Sequence, residues 1–253
     1  MDWDKYNQKI YNKNYSETNI THNFQCDYNQ EMISLRFKIL NKYCKNKKVA
    51  DFGCGTGSYL IPLSKITKEI TGIDFSKNML NILKSKIKNK NYNNIKIYQG
   101  NIKNTSLESG SFDVVFSIAT LYYIPEVEKV ILEMNRVLKK GGIAIFEMGN
   151  LWSLNTLVVR KAPTGVKSFH ISPAKMERVI KQAKFKILEC KYFQLFPMCS
   201  GPLYLKLLAN SKWKMILGKK IRGGMLDEII SSFPLFKHFA FRYLFICQKE
   251  KDL

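Results

Sequence analysis

The sequence predicts an α/β fold built on a mostly parallel sheet with helices on both faces. Five short apolar segments alternate with segments of helical spacing between residues 48 and 147. A glycine-rich turn connects the first apolar segment to the helix that follows it. The chain has 253 residues, of which 45% are hydrophobic, and this is enough to bury the core of one such domain.

The order of the elements follows from apolar spacing and from start and stop signals. Gly141 and Gly142 are interpreted as the stop signal of the helix that precedes the fifth strand. A later helix is predicted to begin at Ser172-Pro173, with Ser172 as the N-cap and Pro173 as the first helical residue. The predicted strands are 48–52, 69–74, 95–99, 112–118 and 143–147, and the predicted helices are 31–43, 58–65, 77–89 and 126–138.

The two ends of the chain are less regular. Residues 1–30 are only weakly patterned, and 149–170 is predicted to be an irregular connection. Two further strands are predicted at 184–193 and 241–248. The segment 195–240 between them is far longer than a hairpin loop, so we expect it to carry structure of its own.

The charge is strongly basic and uneven, and this constrains the partners. Lys and Arg number 41 and Asp and Glu 20, a formal net charge of +21; residues 1–150 carry 22 − 14 = +8 and residues 151–253 carry 19 − 6 = +13. Only 6 of the 41 cations are Arg, the side chain suited to bidentate contacts with phosphates and bases. A nucleic-acid partner is therefore disfavoured. A small anionic substrate, a membrane surface and a solvated basic face remain open.

The segment Leu203–Arg222 has six cations and no acidic residue, with apolar residues between them. This composition is typical of an interfacial helix that contacts anionic lipid, but an ordinary lid helix with a solvated basic face is favoured over it. No run of about 18 apolar residues indicates a transmembrane helix, and the polar N-terminus does not resemble a signal peptide. We therefore expect a cytoplasmic protein, with peripheral membrane contact through 203–222 left open. None of the six cysteines forms a C-x-x-C pair, so no metal site is predicted.

The glycine-rich turn, residues 49–57 (VADFGCGTG), has glycines at alternate positions 53, 55 and 57. Glycine lets the backbone approach a ligand closely, and the helix that follows offers free N–H groups. The dinucleotide pattern G-x-G-x-x-G requires glycine where Ser58 stands, so an NAD-dependent oxidoreductase is disfavoured. Asp74 ends the next strand 23 residues after Asp51, a position from which an acid can bind ribose hydroxyls.

These segments resemble the class I S-adenosylmethionine-dependent methyltransferases, especially the type 11 small-molecule group. Residues 72–80 (GIDFSKNML), 111–117 (SFDVVFS) and 133–142 (EMNRVLKKGG) are similar to three further motifs of that family. Three departures stand out. Asn101 replaces the usual Asp, Lys140 replaces a common Pro, and Tyr122-Tyr123 stand where many relatives have His.

The resemblance implies a Rossmann-like seven-stranded sheet, mostly parallel with an antiparallel last strand, and a helical lid insertion. It also implies one methyltransferase domain over 1–253. Its expected parts are an N-terminal helical cap (1–47), a cofactor-binding core (48–148), a substrate lid (149–183 and 195–240) and the last two strands (184–193 and 241–249).

The cofactor implied by the resemblance is S-adenosylmethionine, and the family pattern assigns its contacts. Gly53, Cys54, Gly55 and Gly57 would flank the methionine part, and Asp51 would help to hold its ammonium group. Asp74 would bind both ribose hydroxyls. The remaining contacts would be Phe75 and Met79 on either side of the adenine, Asn101 and Ile102 at its edge, and Ser117 beside the cofactor.

Methyl transfer from a sulfonium is an in-line displacement with an activated leaving group, so alignment matters most and no metal is required. A base is needed only if the nucleophile must lose a proton. The catalytic candidates are His170, Tyr122, Glu147 and Tyr15, ahead of His22, His238 and Tyr11. The acceptor is expected to be a small molecule, anionic or lipid-like, with an O, N or C nucleophile. An RNA or tRNA methyltransferase and a non-catalytic S-adenosylmethionine-binding domain are the alternatives.

Overall fold

A seven-stranded sheet forms the centre of the protein in the computed structural model, which describes residues 2–14, 27–88, 92–161, 167–197, 212–221 and 224–250. Its strands are β1 (Lys48–Phe52), β2 (Glu69–Asp74), β3 (Ile95–Gln99), β4 (Phe112–Ser117), β5 (Leu138–Gly149), β6 (Phe185–Phe193) and β9 (Arg242–Lys249), while β7 (Lys220–Ile221) and β8 (Gly224–Met225) pair in a separate two-stranded sheet. The order of the strands in the main sheet is β3-β2-β1-β4-β5-β9-β6. Strands β1 to β5 pair in parallel, and β9 lies antiparallel between β5 and β6. The predicted sheet is confirmed.

Helices cover both faces of this sheet. They are α1 (Trp3–Asn14), α2 (Asp27–Cys44), α3 (Leu60–Ser64), α4 (Lys77–Lys88), α5 (Val127–Val137), α6 (Leu154–Lys161), α7 (Pro173–Gln182), α8 (Trp213–Leu217) and α9 (Leu226–Ser231), with 3₁₀ turns at Leu121–Tyr123 and Phe236–His238. One core cluster packs α5 and α7 against the sheet, and the other packs α2, α3 and α4 against its opposite face.

Burial of the strands agrees with their positions in the sheet. Four of the five residues of β1 are buried, because this central strand is covered on both faces. The edge strand β3 has no fully buried residue, and its side chains alternate between partly covered and exposed. The carboxyl ends of β1, β2 and β4 meet at one edge of the sheet, where the chain order changes direction between β1 and β4. Ligands of open α/β sheets bind at such a point.

The predicted helix 126–138 agrees with the structure to within one residue at each end, but Gly141 and Gly142 are not its stop signal, and the strand that follows begins five residues earlier than predicted. Helix α5 ends at Val137, and β5 begins at the next residue, ahead of Gly141 and Gly142. In β5, Leu138 pairs with Phe112 and Ile143 pairs with Val114, so the strand carries extra residues at this point. Gly141 has a φ of 74°, and its carbonyl accepts a hydrogen bond from the Gln248 side chain. The glycines therefore form an irregularity within the strand.

Several helices differ from their predicted extents. The spacing of apolar residues did not predict helix α1, because this segment is rich in Asn and Lys. Helix α6 lies inside 149–170, the segment expected to be irregular. Helix α3 begins at Leu60, two residues later than predicted, because Gly57 has a φ of 84°. The start of α7 is confirmed, since the Ser172 hydroxyl accepts a hydrogen bond from the Lys175 amide at 3.3 Å.

The long excursion before β9 carries its own structure, as expected. Within the described part of 203–222, only Trp213–Leu217 is helical, and the chain then enters the β7–β8 hairpin. A continuous helix through residue 222 is therefore excluded, because α8 ends at Gly218. Residues 203–211 and 222 lie outside the described residues. Among the helices of the described ranges, none is long and apolar enough to span a bilayer.

Candidate active site

The glycine turn after β1 forms the base of the site. Gly53, Gly55 and Gly57 have φ values of 83°, 53° and 84°, a region that L-residues with a side chain rarely adopt. A Cβ atom on Gly53 would lie 2.4 Å from Cγ2 of Thr120, so the turn also passes close to the end of β4. The turn thus depends on glycine both for its conformation and for its packing.

Asp74 connects the end of β2 to this turn. Its Oδ2 accepts a hydrogen bond from the Gly55 amide and its Oδ1 one from the Ser76 amide, each at 2.9 Å. Burial raises the pKa of Asp74, and these backbone hydrogen bonds oppose that effect. An ionised carboxylate has about four acceptor positions. Asp74 therefore keeps acceptor capacity for two further hydroxyl groups.

Asp51 lies behind the turn, 3% exposed, and does not line the cavity described below. Burial raises its pKa well above the ordinary value, and the charge of Asp74 raises it further. The charge of Asp51 in turn raises the pKa of the Cys54 thiol, which burial has already raised. Two carboxyl groups thus lie close together beside the turn.

A cavity of about 640 Å³ opens at this edge of the sheet. It is lined by eight of the residues assigned to the cofactor: Gly53, Cys54, Gly55, Asp74, Phe75, Met79, Asn101 and Ile102. Gly57 and Ser117 do not line it. A Cβ on Gly57 would lie 2.5 Å from Leu83 of α4, and the Ser117 hydroxyl donates to the Phe52 carbonyl at 2.7 Å. Their geometry gives both residues structural contacts.

Helix α1 covers the cavity from the other side. Tyr11 lines it and makes edge-to-face contacts with the rings of Phe75 and Tyr123. The Asn7 side chain donates to the carbonyls of Tyr123 and Lys167 and accepts from the Lys167 amide. These hydrogen bonds attach α1 to two distant parts of the chain.

The Asn101 side chain, which replaces the acid usual in this family, is also bound to α1. Its amide donates to Asp4 at 3.3 Å, and its oxygen accepts from the Lys103 amide at 3.0 Å. The amide side chain thus joins the cavity wall to α1.

Of the four catalytic candidates, only Tyr122 lines the cavity among the described residues. Its hydroxyl accepts a hydrogen bond from Nη1 of Arg242 at 3.1 Å. The His170 ring contacts that of Tyr122 edge to face, with centroids 6.2 Å apart, and Nδ1 lies 2.9 Å from the Thr156 hydroxyl. His170 therefore lies one residue behind the cavity wall. Tyr15 and His22 lie outside the described residues.

Glu147 is not placed as a general base. Its side chain is fully buried and lies between Arg36 and Arg242. Arg36 donates from Nε and Nη2 to the two carboxylate oxygens, both at 2.8 Å, and Arg242 donates to Oε1. Burial raises the pKa of Glu147, but the two guanidinium groups outweigh it and hold the pKa below its usual value. The prediction that Glu147 faces the acceptor is corrected, because two arginines occupy its carboxylate.

This Arg36–Glu147–Arg242 cluster is the largest feature that sequence reasoning missed. It also positions the cavity wall, because Arg36 donates to the hydroxyl of Tyr59 at 3.3 Å and Tyr59 lines the cavity. A signal was present in the composition. In a chain with 35 Lys and 6 Arg, the side chains of Arg36 and Arg136 each bind a carboxylate through two hydrogen bonds, and that of Arg242 binds one carboxylate oxygen and the amide oxygen of Gln194.

Comparison with known proteins agrees with this arrangement. The model of a methyltransferase domain of the type 11 family matches residues 50–146. A demethylmenaquinone methyltransferase of Bacillus pumilus is 34% identical over 141 residues, which are 54% of this chain and 58% of that protein. Residues 50–146 are a methyltransferase domain. The chain spans about half the length of the curated relatives it matches.

Solved structures support the fold of the methyltransferase domain and its surroundings. An S-adenosylmethionine-dependent methyltransferase from Mesorhizobium loti has a TM-score of 0.60 and 13% identity, over 88% of this chain and all of that one. The [4+2]-cyclase SpnF has a TM-score of 0.59 and 17% identity, over 86% of this chain and 81% of that one. The class I fold predicted from the sequence is confirmed.

The residues of the methyltransferase domain fit S-adenosylmethionine, the expected cofactor. The positive-φ glycines leave room for a ligand along the turn, and Asp74 has acceptor capacity for two hydroxyls. Phe75 and Met79 provide apolar surface in the same wall. An ammonium group beside Asp51 would relieve the unfavourable burial of its charge.

We expect Asp51→Asn to stabilise the ligand-free protein and to weaken its binding of S-adenosylhomocysteine. The pKa of Asp51 is higher in the folded protein than its ordinary value of 3.8, so Asp51 lowers stability increasingly as pH rises above 3.8, and this loss is complete above the folded pKa. Removing the charge should raise the melting temperature at pH 7 to 8, and this gain should vanish below about pH 4. Calorimetry should show a loss of roughly 1–2 kcal/mol in binding.

Asp113→Asn is the matched control for this variant. Asp113 binds Lys139 and the Lys48 amide at the opposite edge of the sheet, and these interactions lower its pKa although burial opposes them. This control should lower stability slightly and leave ligand binding unchanged. A fall in the melting temperature of Asp51→Asn would contradict the expected sign.

Proposed function

We propose that this chain transfers a methyl group from S-adenosylmethionine to a small, lipid-like acceptor. The observation that carries the proposal is the lining of the 640 Å³ cavity, which we assign to a cofactor half that includes the charged residues and an apolar half that has none. The charged lining residues are Asp4, Asp74 and Lys86. Asp4 binds Asn101, and Lys86 binds the carbonyl of Thr56 in the glycine turn, so all three belong to the cofactor half.

The other half is apolar and aromatic. Its lining residues Ile33 and Phe37 come from α2, and Ile118 and Tyr122 follow β4. Tyr59 also lines the cavity, with its ring centroid 5.1 Å from that of Phe37, so these side chains offer ring faces and two hydroxyl groups. Pockets of this kind bind apolar small molecules and use a few polar groups to orient them. A lipid-like acceptor fits this half better than a strongly anionic one.

The chemistry needs little from the protein beyond alignment. S-adenosylmethionine supplies a methyl group on a sulfonium, which is already activated for displacement. The side chains of the apolar half hold the acceptor in line and exclude water. Since the hydroxyl oxygen of Tyr122 accepts from Arg242, its own proton is available for donation. Tyr122 thus suits the orientation of an acceptor oxygen.

The Bacillus pumilus relative is a demethylmenaquinone methyltransferase, so demethylmenaquinone represents the acceptor class to be tried first. The match covers only part of each chain, so the acceptor is part of this proposal. A non-catalytic S-adenosylmethionine-binding domain is the second candidate, because the glycine turn and Asp74 support binding of the cofactor and do not by themselves imply turnover. An RNA acceptor has less support, because the apolar half has no cationic lining residue among those described.

The test combines binding with turnover. We expect wild-type protein to bind S-adenosylhomocysteine without added metal, and Asp74→Ala to weaken that binding by about 1–3 kcal/mol, because ribose hydroxyls lose a charged acceptor. The control Asp113→Ala removes a carboxylate at the far edge of the sheet, which also accepts a backbone amide. Its binding should match the wild type.

Turnover is measured with labelled S-adenosylmethionine and demethylmenaquinone in detergent, with and without a chemical reductant. Bulk tRNA serves as the competing acceptor. Label in the lipid and none in tRNA is the expected result. Binding of S-adenosylhomocysteine without transfer to any acceptor supports the non-catalytic candidate, and no binding by the wild type rejects the proposal.

A further inference from the structure

The edge of the sheet that holds the cavity also carries a group of exposed large apolar side chains. Trp152 follows β5, and four more precede β9. We refer to these five residues as the apolar rim: Trp152, Phe233, Leu235, Phe236 and Phe239. Their exposed fractions range from 41% for Phe236 to 68% for Leu235.

The two parts of the apolar rim are joined by direct hydrogen bonds. The Asn150 side chain donates to the carbonyls of His238 and Ala240 at 2.8 and 2.9 Å, and its oxygen accepts from the Trp152 amide at 3.0 Å. The Asn150 amide donates to the Phe241 carbonyl at 2.7 Å. Residues 150–152 and 238–241 therefore lie side by side, and the rim is one surface.

The apolar rim lies close to the acceptor half of the cavity. The Phe241 ring contacts His170 edge to face at 5.2 Å, and His170 contacts Tyr122 in the same way. Tyr122 lines the cavity, so the His170 ring lies between the cavity wall and Phe241, which is two residues after Phe239 of the apolar rim. Topology gives the same placement, since β5 ends and antiparallel β9 begins at the edge where β1, β2 and β4 end.

The segments of the chain that carry the apolar rim have basic residues and no acidic ones. The sequence has no acidic residue between Glu147 and Glu177, or between Glu228 and Glu250. Asp227 and Glu228, at the start of α9, are engaged with Tyr28 and Lys191. The neighbouring helix α8, which contacts α9, exposes Met215 (73%) and Ile216 and is flanked by Lys212, Lys214, Lys219 and Lys220.

We infer that the apolar rim is a docking surface for an anionic membrane, which the protein uses to take its acceptor from the lipid phase. Monomeric proteins rarely expose this many large apolar side chains on one surface without a partner. Aromatic and Leu side chains among Lys residues are the composition of interfacial membrane contacts. The inference rests on the proposed function for the acceptor, but its surface can be tested separately.

The experiment measures co-sedimentation with vesicles of phosphatidylglycerol and phosphatidylcholine, and with vesicles of phosphatidylcholine alone. The test variant is Trp152→Ser/Leu235→Ser/Phe236→Ser. The control is Leu132→Ser, which removes a 54% exposed apolar side chain from α5, outside the apolar rim. Size-exclusion chromatography with light scattering gives the oligomeric state of each protein.

We expect the wild type to bind anionic vesicles more tightly than neutral ones, and less tightly as salt is raised. The triple variant should bind at least about ten-fold more weakly, because each apolar side chain adds favourable transfer free energy. Leu132→Ser should bind as the wild type does. All variants should still bind S-adenosylhomocysteine, which shows that they are folded.

Two results overturn the inference. The first is wild-type protein that does not bind anionic vesicles, or a triple variant that binds them as well as the wild type. The second is a dimer that the triple variant dissociates, without vesicle binding, which would assign the apolar rim to a second copy of the chain. Either result leaves S-adenosylhomocysteine binding intact, whereas loss of that binding in the wild type rejects the proposed function.

Discussion

Replacement of Glu147 by Gln is expected to lower the free energy of unfolding by about 3–5 kcal/mol, the usual effect of leaving a buried charge without its partner. The carboxylate of Glu147 is fully buried and is the shared partner of Arg36 and Arg242. Glutamine has nearly the same shape, but it leaves two guanidinium groups facing each other without a negative charge between them. Urea denaturation at pH 7 measures this loss.

The pH dependence of this variant provides a second check. The pKa of Glu147 in the folded protein lies below its ordinary value of 4.5, so its stabilising effect is complete above that pH and is lost as pH falls through the folded pKa. The difference between wild type and Glu147→Gln should therefore narrow in acid. Glu128→Gln, which breaks a partly exposed ion pair with Lys175, is the control and should cost less than about 1 kcal/mol.

A result within 1 kcal/mol of the wild type for Glu147→Gln would show that the arginines find other partners. The cluster would then not be what holds the hydroxyl groups of Tyr59 and Tyr122 in place. The two residues should also be coupled. The double variant Glu147→Gln/Arg242→Met should lose less free energy of unfolding than the sum of the losses in the two single variants.

The second large effect is expected for Gly53→Ala, with a loss of about 2–4 kcal/mol in the free energy of unfolding. A left-handed conformation costs a residue with a side chain about 1–2 kcal/mol, and overpacking adds about 1–3 kcal/mol. At Gly53 both apply, since φ is 83° and the new Cβ would lie 2.4 Å from Thr120. The variant should also lose measurable binding of S-adenosylhomocysteine, because the turn must move.

Two controls separate the causes. Gly110→Ala places a side chain at a φ of 63° with no atom within 4 Å, so it should show only the conformational cost and leave ligand binding intact. Gly53→Ala/Thr120→Ala should recover part of the stability, because it removes the two nearest atoms. Equal losses in Gly110→Ala and Gly53→Ala would mean that the contact with Thr120 contributes nothing.

The parallel half of the fold could be predicted from the sequence because its signals are local. Buried strands such as Lys48–Phe52 are short segments rich in apolar residues, and glycine or acidic residues stand at or near their ends. Helix α1 escaped prediction because most of its contacts are made by polar side chains such as Asn7 and Gln8, which leave no apolar periodicity. The start of β5 was predicted too late for a different reason, because a Gly-Gly pair such as Gly141-Gly142 can mark an irregular strand as well as a helix end.

The cofactor half of the site was predictable for the same reason. Gly53 to Gly57 and Asp74 occupy turns whose conformation is fixed within a few residues of sequence. The acceptor half is made by Ile33, Tyr59 and Tyr122, which come together only in the tertiary structure. Arg36, Glu147 and Arg242 are separated by 111 and 95 residues along the chain, so nothing local relates them.

The position of β9 has a consequence for how the protein is made. This last strand lies between β5 and β6, and among the described residues β6 pairs with no other strand. During synthesis, β5 thus keeps an open edge, with Glu147 beside it, until residues 242–249 have left the ribosome. The final strand supplies both the missing hydrogen bonds and the Arg242 charge. Stable burial of Glu147 therefore requires β9, and nascent chains that end before residue 242 should be substrates for chaperones and proteases.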